Sequence, residues 1–227
     1  MPEICPSATI IPMKESDRGF TILVLRRNRG MMWGNEWVFP GGKIEPYDYT
    51  GENDVYSAAM QAAVRETKEE AGICFAVDEL VHMARWTTPE SLPKRYITWF
   101  FLSDAGSDCV RIDGSEIVEC QWISPKKFFE TDSYGQITMP PPTFVTISLL
   151  SSFQNMEDAL SHFRQNEPMI FVPRIIPSEK EKCFLYHGDS AYESGDIHEE
   201  GKRHRLTVRG KRWHYQKDGF ETFRDFC

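Results

Sequence analysis

The spacing of apolar residues along the chain predicts a series of short strands. The run Thr-Ile-Leu-Val-Leu, followed by two arginines, predicts a buried strand over 21–27. A second short strand is predicted over 37–39, where it meets the turn-forming sequence Pro40-Gly41-Gly42. Runs of the same kind predict further strands over 79–86, 96–102 and 117–123.

Between these strands, residues 55–71 have the pattern of a helix. The segment lacks proline and glycine and is rich in alanine, and Gly72 follows it where a helix favours a left-handed residue. Glu66, Glu69 and Glu70 are spaced i, i+3 and i+4, so their carboxylates share one face. On the opposite face, the residues predicted to pack are Met60, Val64, Thr67 and Ala71.

Beyond residue 120 the pattern becomes more helical. Ser124-Pro125 predicts the start of a short helix over 126–130. After the three prolines at 140–142, helices are predicted over 143–153 and 156–165, and strand-like pieces over 169–175, 183–187 and 205–208. There is no repeating β-α-β order and no internal repeat. The three prolines are either a domain boundary or a connection within one domain, and we favour one domain in which the later part packs on the earlier part.

Composition narrows the class of protein. The net charge of −8 over 227 residues argues against binding nucleic acid through the overall field of the protein. A basic cluster at 202–212 is either a solvated hairpin or a local anion site. The six cysteines lack zinc-site or disulfide-framework spacing. No apolar stretch is long enough to span a bilayer and no basic leader opens the chain, so we expect a soluble, unexported, cytoplasmic protein without a membrane partner.

The acidic helix face is either solvated or a metal site. Three carboxylates this close repel one another, which destabilises a helix by some tenths of a kcal/mol per pair. Hard divalent cations with oxygen ligands relieve that repulsion, and Mg²⁺ (or Mn²⁺ in its place) is the natural choice.

The residues from Arg65 to Ile73 resemble the second half of the signature of the Nudix hydrolase family. That signature is Gly, five residues, Glu, seven residues, then Arg-Glu-apolar-x-Glu-Glu-x-Gly-apolar. Every fixed residue of the second half is present, with Thr67 in an apolar slot. Two residue patterns upstream compete for the first half.

In the favoured register Gly42 is the first glycine, and Asp48 stands in place of the glutamate. Sixteen residues then precede Arg65, which indicates an insertion near 47–55. The alternative register, with Gly51 and Ser57, keeps the spacing but loses the acid and separates the signature from Pro40-Gly41-Gly42.

The family resemblance implies a fold and a site. The implied fold is a Nudix-type α/β/α sandwich with a mixed central sheet, formed by a catalytic core of about 6–135 and a C-terminal α+β extension of about 136–227. The implied metal ligands are Glu66, Glu69, Glu70 and the Gly41 carbonyl, with Arg65 orienting the carboxylates and Glu69 also catalytic. Glu116 is the candidate general base, and Glu119 is the second choice. Homodimers are also common in the family.

Four further segments resemble the branch of peroxisomal coenzyme A diphosphatases and their bacterial relatives: 23–27, 86–90, 94–96 and 140–144. The chain ends Asp-Phe-Cys, without the usual peroxisomal tripeptide. The branch implies coenzyme A or acyl-coenzyme A as substrate. Phosphate contacts would come from Arg26, Arg27 or Arg95 and base stacking from Trp33, Trp37 or Tyr96.

The same acids also suit ADP-ribose, nucleotide sugars or dinucleotides, all of them small nucleotide-derived molecules. A non-catalytic Nudix domain that senses a nucleotide is the alternative of another class. Retention of the three acids and Arg65 speaks against it.

Overall fold

A computed structural model describes residues 4–30, 34–50, 54–106, 109–130, 138–177 and 181–225. Trp33, Gly51 and Cys227 lie outside these residues. Eight of the strands form one mixed sheet: β1 (Ile4–Ser16), β2 (Gly19–Arg27), β3 (Trp37–Val38), β4 (Gly41–Lys43), β5 (Val81–Thr87), β6 (Arg95–Asp104), β7 (Ile117–Ile123) and β8 (Met169–Phe171).

The main sheet is built around β1. Its strand order is β3-β2-β1-β6-β5-β8, while β4 pairs with another part of β1 and β7 with β2. The β1–β6 and β5–β8 pairs are parallel and the other pairs antiparallel. The mixed central sheet expected from the sequence is therefore confirmed.

A second, antiparallel sheet follows. Its order is β13-β12-β11-β10-β9, with β9 (Arg174–Pro177), β10 (Lys182–Leu185), β11 (His204–Arg209), β12 (Arg212–Lys217) and β13 (Phe220–Asp225). The single strand predicted over 169–175 is wrong, because β8 and β9 belong to different sheets. Pro173 interrupts the run, and proline has no N–H for a strand ladder.

Four α-helices complete the fold: α1 (Val55–Ala71), α2 (Pro125–Glu130), α3 (Pro141–Leu150) and α4 (Met156–Gln165). The helix predicted over 143–153 begins two residues earlier and ends three earlier, with Pro141 in the first turn, where a missing N–H costs nothing. Within the described residues, none of the helices combines the length and the apolar character needed to cross a membrane.

Helices cover both faces of the main sheet. On one face, the alanines of α1 pack on Ala8 and Ile10 of β1. On the other face, Ile11 and Met13 share a buried cluster with Phe144 of α3 and side chains of α4 and the second sheet. The expected layering of helices on a mixed sheet, with an α+β C-terminal part, is thus present.

The packing face of α1 differs from the predicted one. Thr67 and Ala71 are fully buried as expected, but Met60 and Val64 are only partly buried. The close contact with the sheet is made by Ala58, Ala59, Ala62 and Ala63. Alanine lets the helix backbone approach the sheet closely, and this approach also carries Glu70 into a buried position.

Candidate active site

Local interactions fix the two ends of helix α1. The Asp54 side chain accepts hydrogen bonds from the N–H groups of Tyr56 (3.2 Å) and Ser57 (2.9 Å), as an N-cap does. At the other end, Gly72 has φ 71° and donates its N–H to Lys68 O. The helix therefore begins and ends as predicted, and its last turns present the three acids.

The acids of α1 lie in three different environments. The side chain of Glu69 is 59% exposed, that of Glu66 is 18% exposed, and Glu70 is buried. Glu70 Oε2 accepts a hydrogen bond of 2.9 Å from the Gly41 N–H. A Cβ atom on Gly42 would overlap the Glu66 carboxylate, so any other residue at 42 would force that carboxylate to move.

Arg65 holds two of these acids through its guanidinium. Its Nε and Nη2 donate to the two carboxylate oxygens of Asp48, each at 2.9 Å. Its Nη1 donates to Glu66 Oε1 (2.7 Å) and Glu69 Oε2 (3.2 Å), and Nη2 also reaches Lys43 O (3.1 Å). The hydrogen bonds to Asp48 raise the pKa of Arg65, so the fork stays charged.

This geometry supports the register that begins at Gly42. Asp48 is 4% exposed and occupies the place of the first acid of the signature, paired with Arg65. In the competing register, Ser57 stands at that position, but its hydroxyl bonds to Asp54 at the start of the helix. Ten of the sixteen residues between Asp48 and Arg65, 55–64, form the N-terminal part of α1.

Burial makes the charged forms of two of these acids costly. It raises the pKa of Glu70 to about 8, although the Gly41 N–H opposes the shift. It also raises the pKa of Glu66, against the opposing effect of Arg65. Both pKa values stay raised despite nearby arginines, so a bound cation would stabilise the charged forms further.

The chemistry of this donor set suits a hard divalent cation, since the side chains offer carboxylate oxygens only. As placed, Glu69 turns toward Arg65 and Glu70 toward the Gly41 N–H. Within the described ranges, no three His, Cys, Asp or Glu side chains converge as a ready-made metal site. Metal binding at α1 therefore calls for rotation of these carboxylates.

Two predicted residues outside the helix face the same site. Glu116 raises the pKa values of Glu66 and Glu70 through its charge, and Arg27 lowers that of Glu70. Arg27 Nη2 lies 3.9 Å from Glu116 Oε2. Glu116 is held at the start of β7 by its own N–H, which donates to Asp113 Oδ2 at 2.7 Å.

Arg26 and Glu119 form a separate pair, with Arg26 Nη2 2.7 Å from Glu119 Oε2. Side chains alternate along a strand, and Leu25 of β2 packs under α1 while Val24 packs in the opposite cluster. Arg27 therefore lies on the α1 side of the sheet, whereas Arg26 and its partner lie on the other side.

The remaining predicted contacts lie apart from the acids. Arg95 is buried and donates to Thr88 O at 3.3 Å, and Tyr96 follows it in β6. Arg95 aligns with Ile4 of β1, whereas Gly42 aligns with Ala8. Ile4 and Ala8 are four residues apart on β1, so Arg95 and Gly42 lie about 13 Å apart along the strand direction.

The predicted stacking residue Trp37 is only 5% exposed and belongs to the main core cluster. Its indole therefore has little free surface for a base. Sequence reasoning also missed Tyr47, whose ring lies 5.2 Å from the Arg65 guanidinium carbon, as in a cation–π contact. Its position beside Asp48 was the available signal.

Comparison with protein families matches a NUDIX domain to residues 4–139, more than half of the chain. The chain belongs to the Nudix family. This Nudix chain is 23% identical over 208 residues to the Caenorhabditis elegans protein called nudix hydrolase 7, covering 75% of this chain and 69% of that protein. It is 26% identical over 156 residues to the human acyl-coenzyme A diphosphatase NUDT19, covering 60% of this chain and 39% of the human protein.

Among solved structures, the Nudix hydrolase of Alicyclobacillus acidocaldarius aligns with a TM-score of 0.61 at 22% identity. The alignment covers 71% of this chain and 97% of that chain. This likeness establishes the fold. The family membership and the fold thus agree with the signature on α1.

Proposed function

We propose that this chain is a metal-dependent hydrolase that cleaves the diphosphate bond of a nucleoside diphosphate derivative, with coenzyme A or acyl-coenzyme A preferred. The observation that carries the proposal is the position of two acids against β4: Glu70 accepts a hydrogen bond from the Gly41 N–H, and the Glu66 carboxylate lies directly over Gly42.

The residues that would hold the cation are Glu66, Glu69 and Glu70, with the Gly41 carbonyl as a further ligand. Mg²⁺, or Mn²⁺ in its place, neutralises diphosphate oxygens and lowers the pKa of water when bound. Arg65 donates a hydrogen bond to each of Glu66 and Glu69, and its positive charge limits the repulsion between the two carboxylates.

The reaction is the addition of water across a P–O–P linkage. A water oxygen forms a bond to one phosphorus, the bond from that phosphorus to the bridging oxygen breaks, and the second phosphate leaves with the bridging oxygen. Glu116 is the base that accepts the proton of the attacking water. Arg27 binds the diphosphate beside it, which stabilises the charge that develops on phosphate oxygens.

Support for a coenzyme A substrate comes from the acyl-coenzyme A diphosphatase relative and from the cations beyond the acids. Along the sheet, Arg95 lies about 13 Å and Tyr96 about 10 Å from the Gly42 level, separations that suit an extended substrate. In this proposal Arg95 contacts a phosphate distant from the cleaved bond, whereas Arg26, paired with Glu119 on the opposite face of β2, does not contact the substrate.

The test is a substrate panel with the purified chain. Coenzyme A, acyl-coenzyme A, ADP-ribose, a nucleotide sugar and a dinucleotide are incubated with Mg²⁺, with Mn²⁺ and with chelator. Phosphopantetheine and adenosine bisphosphate products with either metal, and none with chelator, are expected. If another member of the panel is cleaved preferentially, coenzyme A is wrong as the substrate class and that molecule takes its place. Nucleotide binding without cleavage under every metal condition would favour the sensor.

The base assignment has its own test. Glu116→Gln removes a proton acceptor on the acid side, while Glu119→Gln makes the same change in a residue paired with Arg26. We expect kcat to fall about 100-fold for Glu116→Gln and to stay within about twofold for Glu119→Gln. Unchanged kcat in Glu116→Gln would remove it as the base.

A further inference from the structure

A cavity of about 660 Å³ lies far from the acids, between the edge of the main sheet and the second sheet. Its volume is in the range of small-molecule sites. Met169 and Ile170 of β8, together with Val172, form an apolar wall. From β1 to β8 the sheet order counts three strand spacings, about 14 Å. The cavity is therefore separate from the diphosphate site.

Charged side chains at this cavity give it a positive rim. Lys202 and Lys217 both line it, and Asp218, 3.5 Å from Lys217, is the acid among the described lining residues. The chain as a whole has a net charge of −8. A local excess of ammonium groups beside an apolar wall is complementary to an oxyanion with an apolar body.

His204 forms part of the cavity wall. It is 7% exposed and lies 2.8 Å through Nδ1 from His187 O. A carbonyl only accepts, so Nδ1 donates its proton there and ties the His187 segment to β11. Burial lowers the pKa of the ring, so its charged form is disfavoured.

The loop that lines the cavity is held in place. The carboxylate of Asp189 accepts from both Nε (2.7 Å) and Nη2 (2.5 Å) of Arg205, and from the His204 N–H (2.8 Å). Tyr192 donates its hydroxyl to Val172 O at 2.9 Å, which ties the loop to the apolar wall. The site is therefore built before any ligand arrives.

We propose that this cavity binds a small organic oxyanion that has an apolar body. Lys202 and Lys217 contact the oxyanion, and Ile170 and Val172 contact the apolar body. Carboxylates and phosphates share this chemistry, so the test distinguishes between them. The proposal is independent of the diphosphate chemistry.

The probe is 8-anilinonaphthalene-1-sulfonate, which has an aromatic body, a sulfonate and an N–H. Its fluorescence is titrated with the full-length chain and with two double variants. Lys202→Gln with Lys217→Gln removes the rim, while Lys182→Gln with Lys211→Gln removes two lysines of the same sheet outside the lining. We expect about tenfold weaker binding for the first pair and less than twofold change for the second.

Competition then defines the ligand. Octanoate and octyl phosphate are expected to displace the probe, and octanol to compete at least about tenfold less well. The two competitors also show whether the site prefers a carboxylate or a phosphate.

Three results would overturn the site: no probe binding to the native chain, equal weakening in the two double variants, or equal competition by octanol. The probe assay contains no diphosphate substrate, so failure of the proposed diphosphate cleavage would not change these binding results.

Discussion

Two arginine–aspartate pairs of the same bidentate geometry serve different parts of this chain. Asp48 receives Nε and Nη2 of Arg65 beside the acids of α1, and Asp189 receives the same two nitrogens of Arg205 in the second sheet. The Nη1 groups of the two arginines donate to different kinds of acceptor. Arg65 Nη1 reaches Glu66 and Glu69, whereas Arg205 Nη1 reaches the backbone of the loop at Ile197 O.

The same kind of ion pair can orient side chains at a candidate active site or hold a loop in place. The side chain of Arg65 is 20% exposed and directs its remaining donor toward Glu66 and Glu69, the proposed metal ligands. The Arg205 side chain is 8% exposed, that of Asp189 is fully buried, and every partner is structural. Disrupting the first pair should therefore alter turnover, and disrupting the second should alter stability.

The largest effect is expected for Asp189→Ala. The change leaves the Arg205 charge buried without its partner, and removing one member of a buried pair costs about 3–5 kcal/mol. The free energy of unfolding from urea titration measures it. Glu200→Ala, an exposed acid of the same loop, is the control and should stay within about 0.5 kcal/mol. Equal stability of the two variants would contradict a structural role.

The Asp48→Asn variant should act on turnover instead. Without the carboxylate, the Arg65 fork loses its anchor and orients Glu66 and Glu69 less well, so kcat should fall about 10–100-fold, as for other partners of metal ligands. Asp54→Asn makes the same chemical change at the helix N-cap, where asparagine caps equally well. A normal kcat for Asp48→Asn, with a stability loss as large as that of Asp189→Ala, would erase the distinction.

The smallest expected effect is a change in the free energy of unfolding at acidic pH. Burial alone would raise the pKa of Asp189, but the hydrogen bonds from Arg205, His204 and Ala191 lower it below its usual value. The pair therefore contributes its full stability above the unfolded pKa of about 3.9, and this contribution is lost as pH falls through the lower folded pKa. The stability difference between the native chain and Asp189→Asn should shrink below about pH 4. A constant difference down to pH 2 would contradict this.

Local patterns predicted the helices better than the sheet. The bounds of α1 follow from Asp54, the alanines and Gly72, all of which act within a few residues. Strand β1 was not predicted, although it is central. Its Pro12 interrupts the pattern, but it lies between the part of β1 paired with β4 and the part paired with β2, where its missing N–H breaks no ladder.

In the candidate site, too, features fixed by local spacing were predicted and features fixed by long-range contacts were not. The i, i+3, i+4 spacing on α1 indicated the acids, because helical neighbours are fixed by local geometry. The partner of Arg65 depends on the path between Asp48 and the helix, and the burial of Trp37 depends on packing across the sheet. Neither can be read from spacing alone. The basic cluster likewise separates into a buried structural residue, Arg205, and a cavity residue, Lys202.

The central claim is that the glutamates of α1 hold the cation needed for diphosphate cleavage. It is tested most directly by titrating Mg²⁺ against turnover, and by following Mn²⁺ binding by electron paramagnetic resonance, for the native chain, Glu69→Gln and Glu70→Gln. We predict about 10²–10³-fold lower kcat and weaker Mn²⁺ binding in both variants, with Glu193→Gln unchanged. Turnover and Mn²⁺ affinity near those of the native chain in both variants would contradict it.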